Sequence, residues 1–379
     1  MVFDFSDDQV AAGYAMYALY AESMYPENSY VLNPPLDPRI DLNVWDVKGY
    51  LTVNEPVVAG SLNKRWVRVN LNKRVYFGYV LQRKNAPGDL LVAIRGTSGG
   101  VEWAINTEFV HQTHDVYPKC KVERGFWSVY ETLAIEDPKT GDRLHDNAVK
   151  GLLAIADGHD IAVVGHSLGS AVGTYLVEAL SDGGANARVG ACLFASPRTG
   201  DVNWVNHFER SVTNYRVINY LIDIVPHVPL HTDYAHLSRA EWFNPMVAKT
   251  SIRCDPWCNH HIVCYAAMLD RAHAQDVVQE RYAACVNLEQ NTPDIVAVSA
   301  GVLVEDLRGL DKTAFEFLRG LAVAHGAEPI SPQANNVPLD SLGPTLAASP
   351  ASPPVPADDD KVETEQDAAV ASQPAAEPS

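Results

Sequence analysis

The stretch Ile161–Gly169 reads Ile-Ala-Val-Val-Gly-His-Ser-Leu-Gly, and it decides the fold. Its first four residues are apolar, as in a buried strand, and the small residues after Ser167 predict a helix. A Gly-x-Ser-x-Gly motif between a strand and a helix indicates a nucleophile elbow, in which a strained turn lifts the serine hydroxyl clear of the sheet. Gly165 and Gly169 leave room for the neighbouring strand and helix. We therefore predict Ser167 as a nucleophile, with Gly165, His166 and Gly169 forming the elbow.

Strand and helix patterns alternate on both sides of this elbow. Apolar runs predict strands at 90–95, 160–165, 187–195 and 215–221, and helical periodicity predicts helices at 126–135, 144–156, 167–180 and 202–210. Such alternation predicts an α/β fold with a mainly parallel central sheet covered by helices on both faces. Upstream, we predict a helix from Ser6 to about Tyr25, an irregular segment at 26–60, and strands at 65–71 and 75–82.

A serine hydroxyl is a weak nucleophile, so it needs a base and a carboxylate that orients the base. In elbow-containing folds the chain order is serine, acid, histidine. Asp223 follows a predicted strand, at the edge of the sheet where ligand crevices form, and is our candidate acid. Asp201, which resembles a helix N-cap, and Asp233, which lies in a loop, are weaker rivals. The candidate bases downstream are His227, His231, His236, His260 and His261.

Composition limits the partners of this chain of 379 residues. Its formal net charge of −18 disfavours nucleic acid and anionic lipid head groups, so any contact with a lipid–water interface would be apolar. No apolar stretch reaches the roughly 18 residues of a membrane-spanning helix. The acidic start, Met1–Asp8, does not look like a Sec signal peptide. Localisation stays open: we favour the cytoplasm, and leaderless secretion is the alternative.

Several separated motifs resemble those of the class 3, or fungal-type, lipase family. They are Val92–Thr97 followed by Glu102-Trp103, Glu123–Phe126, the elbow, Phe194–Asp201, and Asn219 with Asp223–Pro226. Glu123–Phe126 resembles the family's His-x-Gly-Phe element, with Arg124 as a variation. The motifs keep the family's order and span roughly residues 65–270. The resemblance implies an α/β-hydrolase fold and an acyl-enzyme mechanism that needs no cofactor and no metal.

The resemblance also implies roles for further residues. The family's spacing between histidine and tyrosine favours His260 as the base, with His261 as the alternative. Thr97 and the backbone N–H of Leu168 would form the oxyanion hole. Thr97 also ends a predicted strand, before the flexible Ser98-Gly99-Gly100. The segment 99–119 lies where the family carries a lid; an ordinary amphipathic surface helix is the alternative.

The expected activity is hydrolysis of carboxylic esters, by a triacylglycerol lipase or a carboxylesterase that acts on an ester lipid. Phospholipase A1 is the alternative, and a catalytically silent lipid-binding module is a minor one. The sequence does not separate these substrates.

The cysteines allow two further hypotheses. Cys254 and Cys258 could form a disulfide in an exported protein, although free thiols in a reducing cytoplasm are the preferred interpretation. With His260, His261 and Cys264 they could instead bind zinc, but their spacing matches no common zinc motif.

We expect three regions along the chain. Residues 1–270 form the catalytic domain, and 271–327 form a helical extension. Residues 328–379 are rich in proline, alanine and acid and are expected to be disordered.

Overall fold

The computed structural model describes the chain from Phe3 to Glu280 with gaps. The described ranges are 3–25, 31–54, 57–62, 65–69, 74–96, 110–184, 188–220, 223, 225–229, 233–243 and 260–280, with 57–69 described by backbone alone. Of the predicted helical extension, only 271–280 is described, and it is helical. The rest of that extension and the predicted tail lie outside the described residues.

The described helices, numbered α1 to α7 in chain order, are Asp8–Ser23, Arg124–Tyr130, Ala148–Ala156, Leu168–Gly183, Val202–Ser211, Ile262–Leu269 and Ala274–Gln279. The strands β1 to β13 are Trp45–Asn54, Val57–Leu62, Arg65–Val69, Arg74–Arg83, Leu90–Ile94, His111–Thr113, Lys121–Glu123, Ala134–Glu136, Arg143–His145, Ile161–His166, Val189–Phe194, Asn214–Tyr220 and Ala240–Phe243.

Nine of these strands form one sheet, in the order β13-β12-β11-β10-β5-β4-β1-β8-β9. The five strands from β13 to β5 are parallel, and the remaining pairings are antiparallel. β10 lies between β5 and β11, and all six of its residues are buried. The sheet is mixed, with four parallel and four antiparallel pairings, and is therefore less parallel than predicted. Its parallel half carries the elbow at the end of a central strand, and with helices on both faces this is the predicted α/β-hydrolase fold.

Helices cover both faces of the sheet, which gives the protein two hydrophobic cores. Ala162 and Val164 of β10 face a core that they share with α1 and α6. Ile161 and Val163 point the other way, into a core formed with α2, α3, α4 and α5. Because side chains alternate along a strand, β10 packs against helices on both faces. α1 also packs directly against α6, and this contact brings the N-terminal helix close to the elbow.

Three predicted elements were wrong or misplaced. The segment 26–60 was predicted irregular, yet it contains the ten-residue strand β1. Two register irregularities and Gly49 interrupt the alternation of β1, which hid the strand in the sequence. The predicted helix 126–135 ends at Tyr130, because Ala134–Glu136 pairs with β1 as β8. The predicted helix 144–156 begins only at Ala148, where the Asn147 side chain caps it.

The elbow makes a prediction about two glycines of the same helix. A Cβ at Gly169 would lie 2.5 Å from the carbonyl oxygens of Ile94 and Arg95, whereas a Cβ at Gly183 would meet nothing closer than a Leu153 methyl at 3.5 Å. We expect Gly169→Ala to lower the free energy of unfolding by about 3 kcal/mol through overpacking. Gly183→Ala, the matched control, should raise it by up to about 1 kcal/mol. Denaturant unfolding measures both, and equal effects would contradict the close approach.

Candidate active site

Ser167 occupies a strained turn between β10 and α4. Its backbone has φ 57° and ψ −123°, a conformation that costs energy for a residue with a Cβ. Its N–H donates to the Phe194 carbonyl at 3.0 Å, and only 2% of the residue is exposed. A Cβ at Gly165 would lie 2.5 Å from the Gly169 carbonyl oxygen, so both elbow glycines are sterically required. The turn therefore has the geometry expected of a nucleophile elbow.

Asp223 and His260 meet in a buried hydrogen-bonded pair. The His260 Nδ1 atom lies 2.9 Å from Oδ2 and 3.1 Å from Oδ1 of Asp223. Asp223 is fully buried and His260 is 6% exposed. Because the carboxylate oxygens accept these hydrogen bonds, Nδ1 carries a proton, and in the neutral ring Nε2 is then the nitrogen with the lone pair. The pair thus leaves His260 in the tautomer that a general base requires.

His261 is in a different position from its neighbour. It is the N-cap residue of α6, and it makes no side-chain cap. Burial lowers the pKa of His261 to about 4, and the nearby His260 adds to that effect. It therefore stays neutral at ordinary pH. Of the two adjacent histidines, His260 is the one whose ring contacts the predicted acid.

The other candidate bases and acids make contacts outside the pair of Asp223 and His260. His227 is buried and its ring lies 4.9 Å from that of Trp242, while His236 Nε2 accepts from Arg198. The Asp201 side chain caps α5 by accepting from the Trp204 N–H at 2.9 Å, as its sequence position predicted. Asp233 lies in a turn, and His231 lies outside the described residues.

Tyr265 is a member of this site to which the sequence assigned no role. Its hydroxyl donates to Asp223 Oδ2 at 2.8 Å and accepts from the Tyr220 N–H at 3.2 Å. A further donor, the Val225 N–H, reaches Asp223 Oδ1 at 2.9 Å. Burial raises the pKa of Tyr265 well above its ordinary value, so its hydroxyl remains a donor. The carboxylate of Asp223 is therefore held by three donors: His260 Nδ1, the Tyr265 hydroxyl and the Val225 N–H.

The predicted oxyanion donors are only partly described. Leu168 is the first residue of α4 and is 5% exposed, so its N–H lies at the positive end of a helix dipole. Thr97 lies outside the described residues, which resume at Val110. In the predicted lid, 99–119, the described part contains β6, which pairs with β7. The remainder of that prediction falls outside the described residues.

His166 joins the elbow to two further segments. Its Nδ1 atom lies 2.5 Å from Oε1 of Glu22 in α1, and its Nε2 atom lies 2.7 Å from the His260 carbonyl oxygen. Glu22 Oε1 also accepts from the Gly96 N–H at 3.2 Å. Nothing in the sequence distinguished Glu22 from the other acidic residues, because its role depends on how α1 packs.

Two clusters contain residues of the types that bind metals, although the sequence predicts no metal. Within the described ranges, Glu178, Asp182 and His207 form one group of metal-ligand type. His207 Nε2 lies 3.0 Å from a Glu178 oxygen and 3.2 Å from an Asp182 oxygen, so the three side chains contact one another directly. For the zinc hypothesis, Cys254 and Cys258 lie outside the described residues. Of its remaining members, His260 contacts Asp223, and Cys264 is fully buried in α6.

A membrane-spanning segment was not expected. Among the described residues, no helix is both long and apolar enough to cross a bilayer.

The contacts of Tyr265 predict the effect of removing one hydroxyl. In Tyr265→Phe, Asp223 loses a donor and the buried Tyr220 N–H loses its acceptor. We expect a loss of about 1–3 kcal/mol in the free energy of unfolding, because buried polar groups are costly when unpaired. Urea unfolding of the wild type and the variant measures this loss. Tyr130→Phe, which changes a half-buried tyrosine outside this network, is the control; an equal cost there would contradict the assignment.

Comparison with known proteins finds several that are similar in sequence to part of this chain. The family model for lipase (class 3) matches residues 91–232. Secreted mono- and diacylglycerol lipase A of Penicillium cyclopium is 30% identical over 155 residues, which cover 40% of this chain and 47% of that protein. Phospholipase A1-II 6 of Oryza sativa subsp. japonica is 28% identical over 210 residues, which cover 47% and 50%.

A solved structure of a mutant form of the Penicillium cyclopium protein MDLA is 23% identical, covers 61% of this chain and 78% of that one, and has a TM-score of 0.42. The chain spans about half the length of the curated relatives it matches. The segment 91–232 is therefore similar in sequence to the class 3 lipase family.

Proposed function

We propose that this protein is a serine hydrolase of carboxylic esters that acts through an acyl-enzyme on Ser167. The observation that carries the proposal is the coexistence of a strained serine elbow with a buried acid–histidine pair. Ser167 is the nucleophile, His260 the base and Asp223 the residue that orients the base. His261 remains the alternative base, and the contact between His260 and Asp223 argues against it.

The mechanism follows from the protonation states. His260 Nε2 accepts the proton of Ser167 Oγ as Oγ attacks the ester carbonyl carbon. The alkoxide then leaves with that proton, and the serine holds the acyl group. Water attacks the acyl-enzyme in the same way and releases the carboxylic acid. Asp223 keeps the Nδ1 proton in place and stabilises the imidazolium form of His260 that appears in each step.

The negative charge on the carbonyl oxygen needs donors that are already in position. The backbone N–H of Leu168 is one, since it begins α4 directly after the nucleophile. Thr97 is the proposed second donor, and Gly96 before it is the last described residue of that segment. These groups supply the stabilisation without a cofactor or a metal.

For the substrate we propose an acylglycerol or a similar ester lipid, hydrolysed as by a triacylglycerol lipase or a carboxylesterase. The name of the Penicillium relative, a mono- and diacylglycerol lipase, supports an acylglycerol. The name of the rice relative, a phospholipase A1, keeps that activity as the second candidate. The net charge of −18 favours a neutral lipid over an anionic surface. A silent lipid-binding module would not need the strained serine.

A serine substitution tests the proposal. Ser167→Ala should reduce kcat by about 10⁶-fold, because the covalent step is lost. Ser128→Ala changes an exposed serine of α2 and should leave kcat unchanged, so it is the matched control. Hydrolysis of p-nitrophenyl butyrate measures both variants. Substantial residual turnover in Ser167→Ala would remove Ser167 from the mechanism.

The same assay separates the substrate classes when the ester is varied. The series runs from short to long p-nitrophenyl esters, then to emulsified triacylglycerol and to phosphatidylcholine vesicles. Turnover of the emulsion that exceeds turnover of the vesicles is the expected result for an acylglycerol lipase. Preference for phosphatidylcholine would favour phospholipase A1, and activity confined to short soluble esters would favour a carboxylesterase.

A further inference from the structure

We propose that Glu22 and His166 act as positioning residues: as an ion pair between a partly buried carboxylate and a buried imidazole, they fix the backbone of His260 and the strand end that leads to the oxyanion hole. The proposal rests on the proposed function and deepens it. Neither residue contacts the reacting atoms in this account. Glu22 lies on α1, outside the sheet, and only tertiary packing brings it to the site.

The hydrogen bonds of the His166 ring determine its protonation. Its Nε2 atom faces the His260 carbonyl oxygen at 2.7 Å, and a carbonyl only accepts, so Nε2 carries a proton. Its Nδ1 atom faces Glu22 Oε1 at 2.5 Å. The same oxygen accepts from the Gly96 N–H. An ionised Glu22 beside a doubly protonated His166 satisfies all of these contacts at once.

The electrostatic environment supports the same charge state. Burial alone would lower the pKa of His166, but the Glu22 carboxylate outweighs burial and raises it. Burial would raise the pKa of Glu22, and His166 reverses this so that the pKa is lowered. Asp223 adds a smaller contribution that also favours the charged form of His166. Both shifts favour an ion pair over a neutral pair.

The pair joins the segments that carry the proposed chemistry. His166 immediately precedes Ser167, and Gly96 immediately precedes Thr97. His260 is held twice, at its ring by Asp223 and at its carbonyl by His166. The rings of His166 and His260 lie with their centroids 4.8 Å apart and are tilted by 38°. Movement of the pair would therefore shift both the base and the approach to the oxyanion hole.

Gly96 provides an independent sign that the pair is closely packed. A Cβ at this position would lie 2.9 Å from Glu22 Oε1 and 3.0 Å from His166 Nδ1. Any side chain at 96 would thus displace the two atoms that form the ion pair. Only glycine lets the strand end approach closely enough for its N–H to reach the carboxylate.

The first test measures the protonation of His166 directly. ¹⁵N-histidine NMR is recorded on Ser167→Ala, and the His166 signals are identified by their loss in Ser167→Ala/His166→Asn. At about pH 7.5, one unit above the ordinary histidine pKa, we expect both His166 nitrogens to be protonated. Adding Glu22→Gln should convert the ring to the neutral form. A neutral His166 with Glu22 present would overturn the proposal.

The second test separates positioning from folding. The test assays Glu22→Gln, His166→Asn and the double variant. Titration of the reactive serine with a phosphonate gives the concentration of active sites, and kcat is calculated from that concentration. Unfolded protein therefore does not lower the measured kcat. We expect each single variant to lower kcat by about 10- to 100-fold through misplacement of the base, with KM changed less than about twofold. The double variant should lose no more than the larger single loss, because the two residues act as one unit.

The matched control is Asp8→Asn on the same helix. Asp8 is the first residue of α1, where it pairs with Arg216, and it lies about 21 Å from Glu22 along the helix. The Asp8→Asn substitution should therefore leave kcat unchanged. Additive losses in the double variant, or unchanged kcat in Glu22→Gln, would overturn the positioning role. A wild type that turns over no ester would refute the proposed function and the positioning role with it. The NMR result would still show whether the ion pair forms.

Discussion

The site depends on one close approach of backbone to backbone. Gly169, at the start of α4, lies against the carbonyls that end β5, and Gly165 lies against the carbonyl of Gly169. These contacts leave no space for side chains, so the chain must reverse from strand to helix within a single residue. Ser167 is that residue, and its positive φ is the consequence. The parallel pairing of β10 with β5 and β11 holds the strained turn in place.

The remaining side chains reach this turn from segments that are distant in sequence. Asp223 follows β12, His260 precedes α6, and Glu22 comes from α1. Hydrogen bonds fix these residues: Tyr265 and Val225 donate to Asp223, and His166 contacts both the Glu22 carboxylate and the His260 carbonyl. Since an unpaired polar group in such a site is costly, these networks favour a single arrangement. The packing of α1 on α6 is thus part of the site as well as of the core.

Local patterns explain what the sequence could predict. The apolar run before Gly165, the two elbow glycines and an acid after a strand are short-range signals, so the fold and the positions of Ser167 and Asp223 could be read from them. β1 was missed because its irregular register removes the alternation that marks a strand. Glu22 was missed because its partners lie 74 and 144 residues away along the chain, where no local pattern reports them.

The central claim is that Ser167 is a nucleophile activated by its surroundings. The most direct measurement is labelling of the native protein with a fluorophosphonate, followed by peptide mass mapping of the adduct. We predict a single adduct on the peptide that contains Ser167, with no adduct when the protein is unfolded beforehand, because an isolated serine is not reactive. A folded protein that remains unlabelled, or one that is labelled at another serine, would contradict the account.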